Sequence, residues 1–156
     1  QVPYMYCFAG APWKTQEKIH QIVNSMYKNK PDGLSGNDDC GQMSAWYIFS
    51  VLGFYPVAPS SNEYVIGSPC LENAVINLEN GKQFRIETEN YSPENIYINE
   101  VYLNEKYYLT NMVPFIDKDY YESSKQNREL ILKVKLNEIK DEYDYVSLNI
   151  NAVPRL

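Results

Sequence analysis

The spacing of apolar residues predicts a helix in the first part of the chain. Between Pro12 and Lys30 they recur at intervals of three and four, at Ile19, Ile22, Val23, Met26 and Tyr27. This spacing places them on one face of an amphipathic helix. The helix should stop near Pro31 and Gly33, because the residue before a proline avoids the helical conformation and glycine permits a turn.

A second predicted helix, from Gln42 to Leu52, has almost no polar face. Gly53 is placed to end it as the C′ residue, and Asp38 or Asp39 is placed to cap its N-terminus. A helix that is apolar all round must be enclosed on most sides, whereas one amphipathic neighbour covers only a stripe of it. We therefore expect this chain to sit within a larger helical array.

Strand patterns follow Pro59. An apolar run at 75–78 leads into Asn80 and Gly81, and residues 83–88 then alternate apolar and polar side chains. Asn-Gly is the preferred pair for a two-residue hairpin turn. These residues predict an antiparallel hairpin with a tight turn.

Later segments predict further strands. Residues 96–103 have the composition of a strand, but their alternation slips near Asn99 and Glu100, which predicts a β-bulge. Residues 130–136 and 146–150 also alternate. About four to seven antiparallel strands would account for this half, either as a sandwich or as a sheet packed on the helices.

The two patterns together predict an α+β chain with two segments. Residues 1–58 form the helical segment, and residues 59–156 form an antiparallel sheet or a sandwich-like segment. The length of 156 residues is that of a single domain.

Composition narrows the classes of protein that fit. Lys and Arg total 14 against 20 Asp and Glu, a net charge of −6, and the basic residues are scattered among acidic ones. This argues against nucleic acid as a partner. The hydrophobic fraction of 44% argues against a disordered chain. No apolar run approaches the roughly 18 residues that cross a membrane, and the first residues lack the pattern of a signal peptide.

The cysteines and the single histidine show no recognisable metal-binding pattern. Cys7, Cys40 and Cys70 are an odd number without CxxC spacing, so neither a zinc site nor a disulfide framework follows from them. We expect Cys40 to be a small buried residue. His20 falls off the apolar face of the first helix, and we expect it to be solvated.

The densest polar group is the glycine-punctuated loop at residues 33–42, which enters the second helix. Its adjacent aspartates, Asp38 and Asp39, face the positive end of the helix dipole. That position favours an ionised carboxylate by a few tenths to about 1 kcal/mol. One aspartate is enough to cap the helix. The carboxylate of the other aspartate is therefore available for a different role.

This loop and its flanks strongly resemble the C-terminal end of the bacterial α-mannosidases of glycoside hydrolase family 92. The resemblance covers roughly residues 1 to 110, and its long middle block is highly specific. The matching runs are Tyr4–Tyr6, Phe8–Gly10, Pro12–Gln16, Pro31–Gly33, Gly36–Tyr47, Leu52–Val57, Glu63–Pro69, Asn95–Ile98 and Val101–Asn104.

The resemblance implies calcium-dependent, inverting, exo-acting hydrolysis of α-linked mannose, often α-1,2-linked. It implies that the helices are the last part of an (α/α)6 barrel. The acidic loop would supply the general base, on Asp39 or, as the second choice, on Asp38. Asn37 and Gln42 would belong to the mannose site. Trp13 could stack on a sugar, although we favour a hydrophobic anchor at the helix start.

An inverting reaction also needs a general acid roughly 6.5 to 9.5 Å from the base, across the sugar ring. Asp38 and Asp39 are neighbours and cannot straddle a sugar. The resemblance implies that the acid and most calcium ligands lie upstream of this chain. We therefore expect the C-terminal portion of an α-mannosidase with little or no activity alone, and an extracytoplasmic location.

Two kinds of partner follow from these expectations. The first is an α-mannoside glycan, and the second is the missing N-terminal part of the enzyme, with self-association through exposed helices as the other possibility. A different class of function is also open. The chain contains 15 tyrosines, and its β half could serve as the surface of a non-catalytic carbohydrate-binding or interaction module.

Overall fold

The computed structural model describes residues 1–58, 64–79, 81, 83–103, 106–108 and 129–137. A 3₁₀ turn at Val2–Tyr4 leads directly into a short helix, α1. Two longer helices follow and end before the first strand. The helices are α1 (Met5–Phe8), α2 (Pro12–Met26) and α3 (Gln42–Leu52).

Seven strands form two sheets among the described residues. The small sheet pairs β1 (Phe54–Tyr55) with β2 (Val65–Ile66) in antiparallel fashion. The larger sheet has five strands in the order β3-β4-β7-β5-β6. Its members are β3 (Asn73–Asn77), β4 (Gln83–Glu89), β5 (Tyr97–Leu103), β6 (Lys106–Tyr108) and β7 (Glu129–Asn137).

The described part of the chain is α+β, but its larger sheet is mixed. Strand β7 pairs with β4 in parallel and with β5 in antiparallel fashion. The prediction of a wholly antiparallel sheet is therefore wrong at one strand pair. The reason is geometric: β4 and β5 run in opposite directions, so a strand inserted between them must be parallel to one of them. The predicted strand at 146–150 lies outside the described residues.

Local sequence rules predicted the ends of α3 correctly. The helix runs from Gln42 to Leu52, and Gly53 follows it in the left-handed conformation at φ 96°. Helix α2 begins at Pro12 as predicted but ends at Met26, four residues before the predicted Lys30. Tyr27 leaves the helix in an extended conformation because its ring packs on Trp46 and Tyr47 of α3, at centroid distances of 5.9 and 4.7 Å.

The predicted antiparallel pair of strands on either side of Asn80 and Gly81 is present. Strands β3 and β4 are antiparallel, and Asn77 pairs with Gln83. Asn80 of the predicted two-residue turn lies outside the described residues. The predicted alternation holds, since Phe84, Ile86 and Thr88 are the buried positions of β4.

The predicted bulge in β5 is confirmed. The pairing of β5 with β7 shifts register between Ile98 and Glu100. At this point the backbone N–H of Ile98 donates to Oε1 of Gln16 in α2, at 3.2 Å, and Gln16 is buried. A helix side chain thus joins α2 to the sheet at the bulge.

Two apolar clusters hold the elements together. One contains the buried residues of the larger sheet and β1, namely Phe54, Phe84, Ile86, Ile98 and Val101. The other joins the helices to the small sheet through Tyr4, Cys7, Ile19, Val23, Trp46, Tyr55 and Val65. Phe49 of α3 packs against both clusters. Helix α3 is therefore an element shared by the helical and β segments.

The helices nevertheless expose a large apolar surface. Within α3 only Trp46 and Ser50 are buried, and the Ile48 side chain is 57% exposed. Val2, Met5 and Phe8, around α1, are also exposed. Burial of such side chains stabilises a fold by about 1.5 to 3 kcal/mol each. Among the described residues, α3 is therefore only partly covered, and the expectation that it packs within a larger helical array stays a prediction. A separate feature of the helices is their length and polarity: none of those in the described part of the chain combines the length and the apolar character of a membrane-spanning helix.

Candidate active site

A tight turn leads from α2 to the acidic loop. The Lys28 N–H donates to the carbonyl of Gly33, and the Gly33 N–H donates to the carbonyl of Lys30, each at 3.0 Å. A Cβ atom added at Gly33 would clash with the Lys28 carbonyl oxygen. This contact explains why glycine occupies the turn, because any side chain would push the two backbone segments apart.

We expect Gly33→Ala to lower the free energy of unfolding by about 1 to 3 kcal/mol, the usual cost of overpacking a close contact. Denaturant unfolding of both proteins measures the difference. Gly36→Ala is the matched control, since Gly36 has nothing within 4 Å of an added Cβ, and only its positive φ of 108° opposes the change. A Gly33→Ala loss no larger than that of Gly36→Ala would contradict the steric explanation.

The acidic loop enters α3 through three consecutive left-handed residues. Asp39, Cys40 and Gly41 have φ values of 49°, 59° and 93°. The carbonyls of Asp38 and Asp39 accept hydrogen bonds from the N–H groups of Met43 and Gln42, at 3.1 and 3.2 Å. Cys40 is exposed with a free thiol, so the expectation that it is buried is wrong. The left-handed turn directs its side chain away from the core.

Asp38 is the aspartate that caps α3. Its Oδ1 accepts hydrogen bonds from the Ser44 N–H at 2.9 Å and from the Ser44 hydroxyl at 2.8 Å. Gly41 occupies the N-cap position and has no side chain to do this. The prediction that one of the two aspartates caps the helix is confirmed, with Asp38 reaching the helix from outside the usual capping position.

The other predicted site residues differ in exposure. Asp39, Asn37 and Gln42 are all exposed, so the loop presents one carboxylate and two amides to its surroundings. Trp13 is only 7% exposed at the start of α2. Its burial agrees with the hydrophobic anchor that the sequence favoured, while its proposed contact with a sugar remains a prediction.

Tyr27 supports the first turn of α3 from the side. Its hydroxyl donates to the carbonyl of Met43 at 3.1 Å. Burial, and then the negative charge of Asp38, raise the pKa of the Tyr27 phenol above its ordinary value. The phenol is therefore a stable hydrogen-bond donor beside the capping carboxylate.

A groove of about 410 Å³ lies beside this turn. Ser44, the partner of Asp38, is one of its lining residues. The others are the aromatic, apolar and polar residues Tyr27, Lys28, Asn29, Lys30, Pro31, Gly33, Leu34, Tyr47 and Ile48. The groove therefore lies on the side of the loop where Asp38 contacts Ser44.

His20 is buried, which overturns the expectation that it is solvated. Its Nε2 lies 2.9 Å from Ser68 Oγ, and the Ser68 hydroxyl donates to the carbonyl of Ile96 at 2.6 Å. Cys70 Sγ lies 3.8 and 3.9 Å from the two ring nitrogens. Burial lowers the pKa of His20 to about 4 and raises the pKa of the Cys70 thiol to about 11. This cluster joins α2 to the β segment and presents no reactive thiolate.

The described residues contain no cluster of acidic side chains that could hold calcium by itself. Calcium takes six to eight oxygen ligands. Among the residues that the structure describes, no three His, Cys, Asp or Glu side chains come together in a group that could hold a metal ion. One carboxylate oxygen of the loop, Oδ1 of Asp38, already accepts two hydrogen bonds from Ser44.

Sequence reasoning missed Ser44 as part of the site. It lies six residues after Asp38, whereas capping motifs place the two partners two or three residues apart. The left-handed residues between Asp38 and α3 bring them together. No local pattern in the sequence indicates this contact.

Comparison with known proteins identifies the family. The sequence profile described as the glycosyl hydrolase family 92 catalytic domain matches residues 1–134. The chain is also 31% identical, over 113 residues and 70% of its length, to an uncharacterized secreted glycosidase of Arthroderma benhamiae. The chain belongs to glycosyl hydrolase family 92.

Solved structures agree with this assignment. A family GH92 α-mannosidase of Bacteroides thetaiotaomicron, in complex with mannoimidazole, is 43% identical, with a TM-score of 0.83 over 99% of this chain. A family GH92 inverting mannosidase of the same organism is 29% identical, with a TM-score of 0.79 over 98% of this chain. The chain spans 19% of the length of each solved chain and 14% of the secreted glycosidase.

Proposed function

We propose that this chain is the C-terminal part of an α-mannosidase that removes terminal, α-1,2-linked mannose from glycans with inversion of configuration. The observation that carries the proposal is the exposed carboxylate of Asp39 in the family's acidic loop, within a chain 43% identical to a GH92 α-mannosidase. The name of a second relative, an inverting mannosidase, supports the stereochemistry.

Asp39 is the proposed general base. An inverting glycosidase uses a carboxylate to take a proton from the water that attacks the anomeric carbon, on the face opposite the leaving oxygen. The Asp38 carboxylate oxygen Oδ1 is occupied by Ser44, whereas the Asp39 side chain is exposed. This difference supports Asp39 over Asp38 as the base. Asn37 and Gln42 would then bind mannose hydroxyls beside it.

The proposed reaction needs groups from outside this chain. The general acid must lie across the sugar from Asp39, at a distance that its neighbour Asp38 cannot reach. We also propose that the complete enzyme requires calcium, with most of its ligands supplied by another part of the polypeptide. The described residues offer no such cluster.

The exposed apolar side chains of the helices support the proposal that another polypeptide segment packs against them. This segment would be either covalently continuous with the chain or separate from it. Ile48 and Tyr47 of α3, with Met5 and Phe8 of α1, are exposed large side chains. We propose that the preceding part of the enzyme covers them. Self-association of the isolated chain through the same surface is the alternative. The secreted relative supports an extracytoplasmic location.

A chimera tests the proposal. In it, this chain replaces the matching segment of the 43% identical Bacteroides mannosidase. We expect the chimera to release mannose from an α-1,2-mannobioside and to lose activity with a calcium chelator, and we expect the isolated chain to have no measurable turnover. Turnover by the isolated chain, or a correctly folded chimera without activity, would contradict the proposal.

A further inference from the structure

The backbone around Asp39 adopts a conformation that needs support. Asp39 and Cys40 both carry side chains, yet their φ values of 49° and 59° lie in the left-handed region. Residues other than glycine populate this region sparsely. Such conformations persist only where the surrounding structure holds them. The loop therefore depends on neighbouring contacts to direct the Asp39 side chain.

Within the described part of the chain, two hydrogen bonds of the Asp38 side chain tie this loop to α3, and both come from Ser44. The N–H and the hydroxyl of Ser44 donate to the same carboxylate oxygen, at 2.9 and 2.8 Å. Hydrogen bonds to a charged acceptor are roughly twice as strong as neutral ones. The two contacts fix the residue immediately before the left-handed stretch.

Ser44 is itself held in a rigid element. It lies in the first turn of α3, two residues before Trp46, which is buried in the helical core. The carbonyl of the neighbouring Met43 accepts a hydrogen bond from Tyr27. The burial of Trp46 and the hydrogen bond from Tyr27 thus hold the start of α3 in place. The hydrogen bonds from Ser44 in turn hold Asp38 at a fixed position relative to the helix.

We propose that Ser44 is a positioning residue for the reaction, acting through Asp38 to hold the Asp39 carboxylate in its catalytic orientation. The inference rests on the proposed function, because it assigns a role in general-base catalysis by Asp39. It differs from simple capping in its consequence. A cap stabilises the helix, whereas a positioning residue also determines the rate of the chemical step.

Kinetics of the chimera test this role. We expect Ser44→Ala to lower kcat by about 10- to 100-fold, the effect of misplacing a catalytic group by about 1 Å. The KM should change little, because Ser44 is not proposed to touch the sugar. Ser44→Thr retains the hydroxyl and should restore most of kcat. Ser25→Ala is the matched control, since the Ser25 hydroxyl donates to a helix carbonyl in α2, away from the loop.

The outcomes separate the two proposals. A Ser44→Ala chimera with the parent kcat overturns the positioning role, even if Asp39→Asn is inactive. An Asp39→Asn chimera with the parent kcat overturns the proposed function instead. A Ser44→Ala protein that loses stability without a change in kcat per folded molecule also overturns the positioning role.

Hydrogen exchange of the 156-residue chain provides a second measurement that does not require activity. The Ser44 amide should be protected in the parent chain and should exchange at least about tenfold faster in Asp38→Ala, because its acceptor is removed. Equal exchange rates would overturn the proposed support of the loop by this pair.

Discussion

Asp39→Asn is expected to reduce kcat of the chimera by about 10²- to 10⁴-fold, the usual contribution of a general acid or base. The amide has nearly the shape of the carboxylate but cannot accept the proton of the attacking water. Sugar binding should persist, so KM should stay within a few-fold of the parent value. Initial rates on an α-1,2-mannobioside at saturating concentration measure the loss.

The adjacent substitution Asp38→Asn should have a much smaller effect. The amide oxygen of the new side chain still accepts hydrogen bonds from Ser44, and the loss of charge weakens them by about 1 kcal/mol. That amount corresponds to a reduction of about tenfold or less. Asp32→Asn, at an exposed aspartate of the preceding turn, is the control and should match the parent rate. A larger loss for Asp38→Asn than for Asp39→Asn would transfer the role of base to Asp38.

The parts of the fold that the sequence predicted are those governed by local chemistry. Gly53 ends α3 because glycine adopts the left-handed conformation without a steric penalty. The slip in alternation at Asn99 and Glu100 corresponds to the register shift in β5. In both cases, the residues that carry the signal are the residues that form the feature.

The errors in prediction arise from tertiary contacts. His20 is polar and lies off the apolar stripe, but the β segment covers it through Ser68. Tyr27 fits the helical spacing, yet it leaves α2 to pack on Trp46 and Tyr47. No pattern in one segment indicates what another segment will place against it. The parallel pairing of β4 with β7 is likewise a tertiary contact that no local pattern predicts.

The candidate site was predicted by family resemblance more than by physical pattern. An Asn-Asp-Asp group before a helix indicates a cap, and Asp38 is that cap. The sequence could not assign capping to one aspartate, because the choice depends on the left-handed turn at residues 39–41. That turn brings Ser44 to Asp38 and leaves Asp39 exposed.

The apolar character of α3 connects fold and function. Its length and ends follow from its own sequence, but the Ile48 side chain remains 57% exposed among the described residues, and Tyr47 is partly exposed beside Tyr27. The chain spans 19% of the GH92 mannosidase that it resembles at 43% identity. The exposed side chains on α3 support the proposal that another part of the enzyme packs against this helix.

His20 provides a second test of the fold, because it is the only histidine in the chain. The Ser68 hydroxyl donates to Ile96, so the neutral imidazole must donate from Nε2 to Ser68 Oγ. Protonation of Nδ1 would place a positive charge at a position that is 8% exposed. Among the described residues, its ring nitrogens lie against the Ser68 hydroxyl and the Cys70 thiol, neither of which is an anion.

The folded chain should lose stability as the pH falls from 6.5 to about 4. Burial lowers the pKa of His20 from 6.5 to about 4 in the folded state. Between these values the unfolded chain binds the proton and the folded chain does not, so acid favours unfolding. The free energy of unfolding should fall by about 3 kcal/mol across this range. Denaturant unfolding at several pH values measures this loss.

His20→Gln separates the histidine from the carboxylates that titrate in the same range. Glutamine does not titrate, and its side-chain N–H₂ can still donate to Ser68. The decrease in the free energy of unfolding as the pH falls should be about 3 kcal/mol larger in the parent than in His20→Gln. NMR titration of the single imidazole provides an independent value of its pKa. Identical pH slopes for the two proteins, or an imidazole with its ordinary pKa, would show that His20 is accessible to water and that the contact between α2 and Ser68 does not persist in solution.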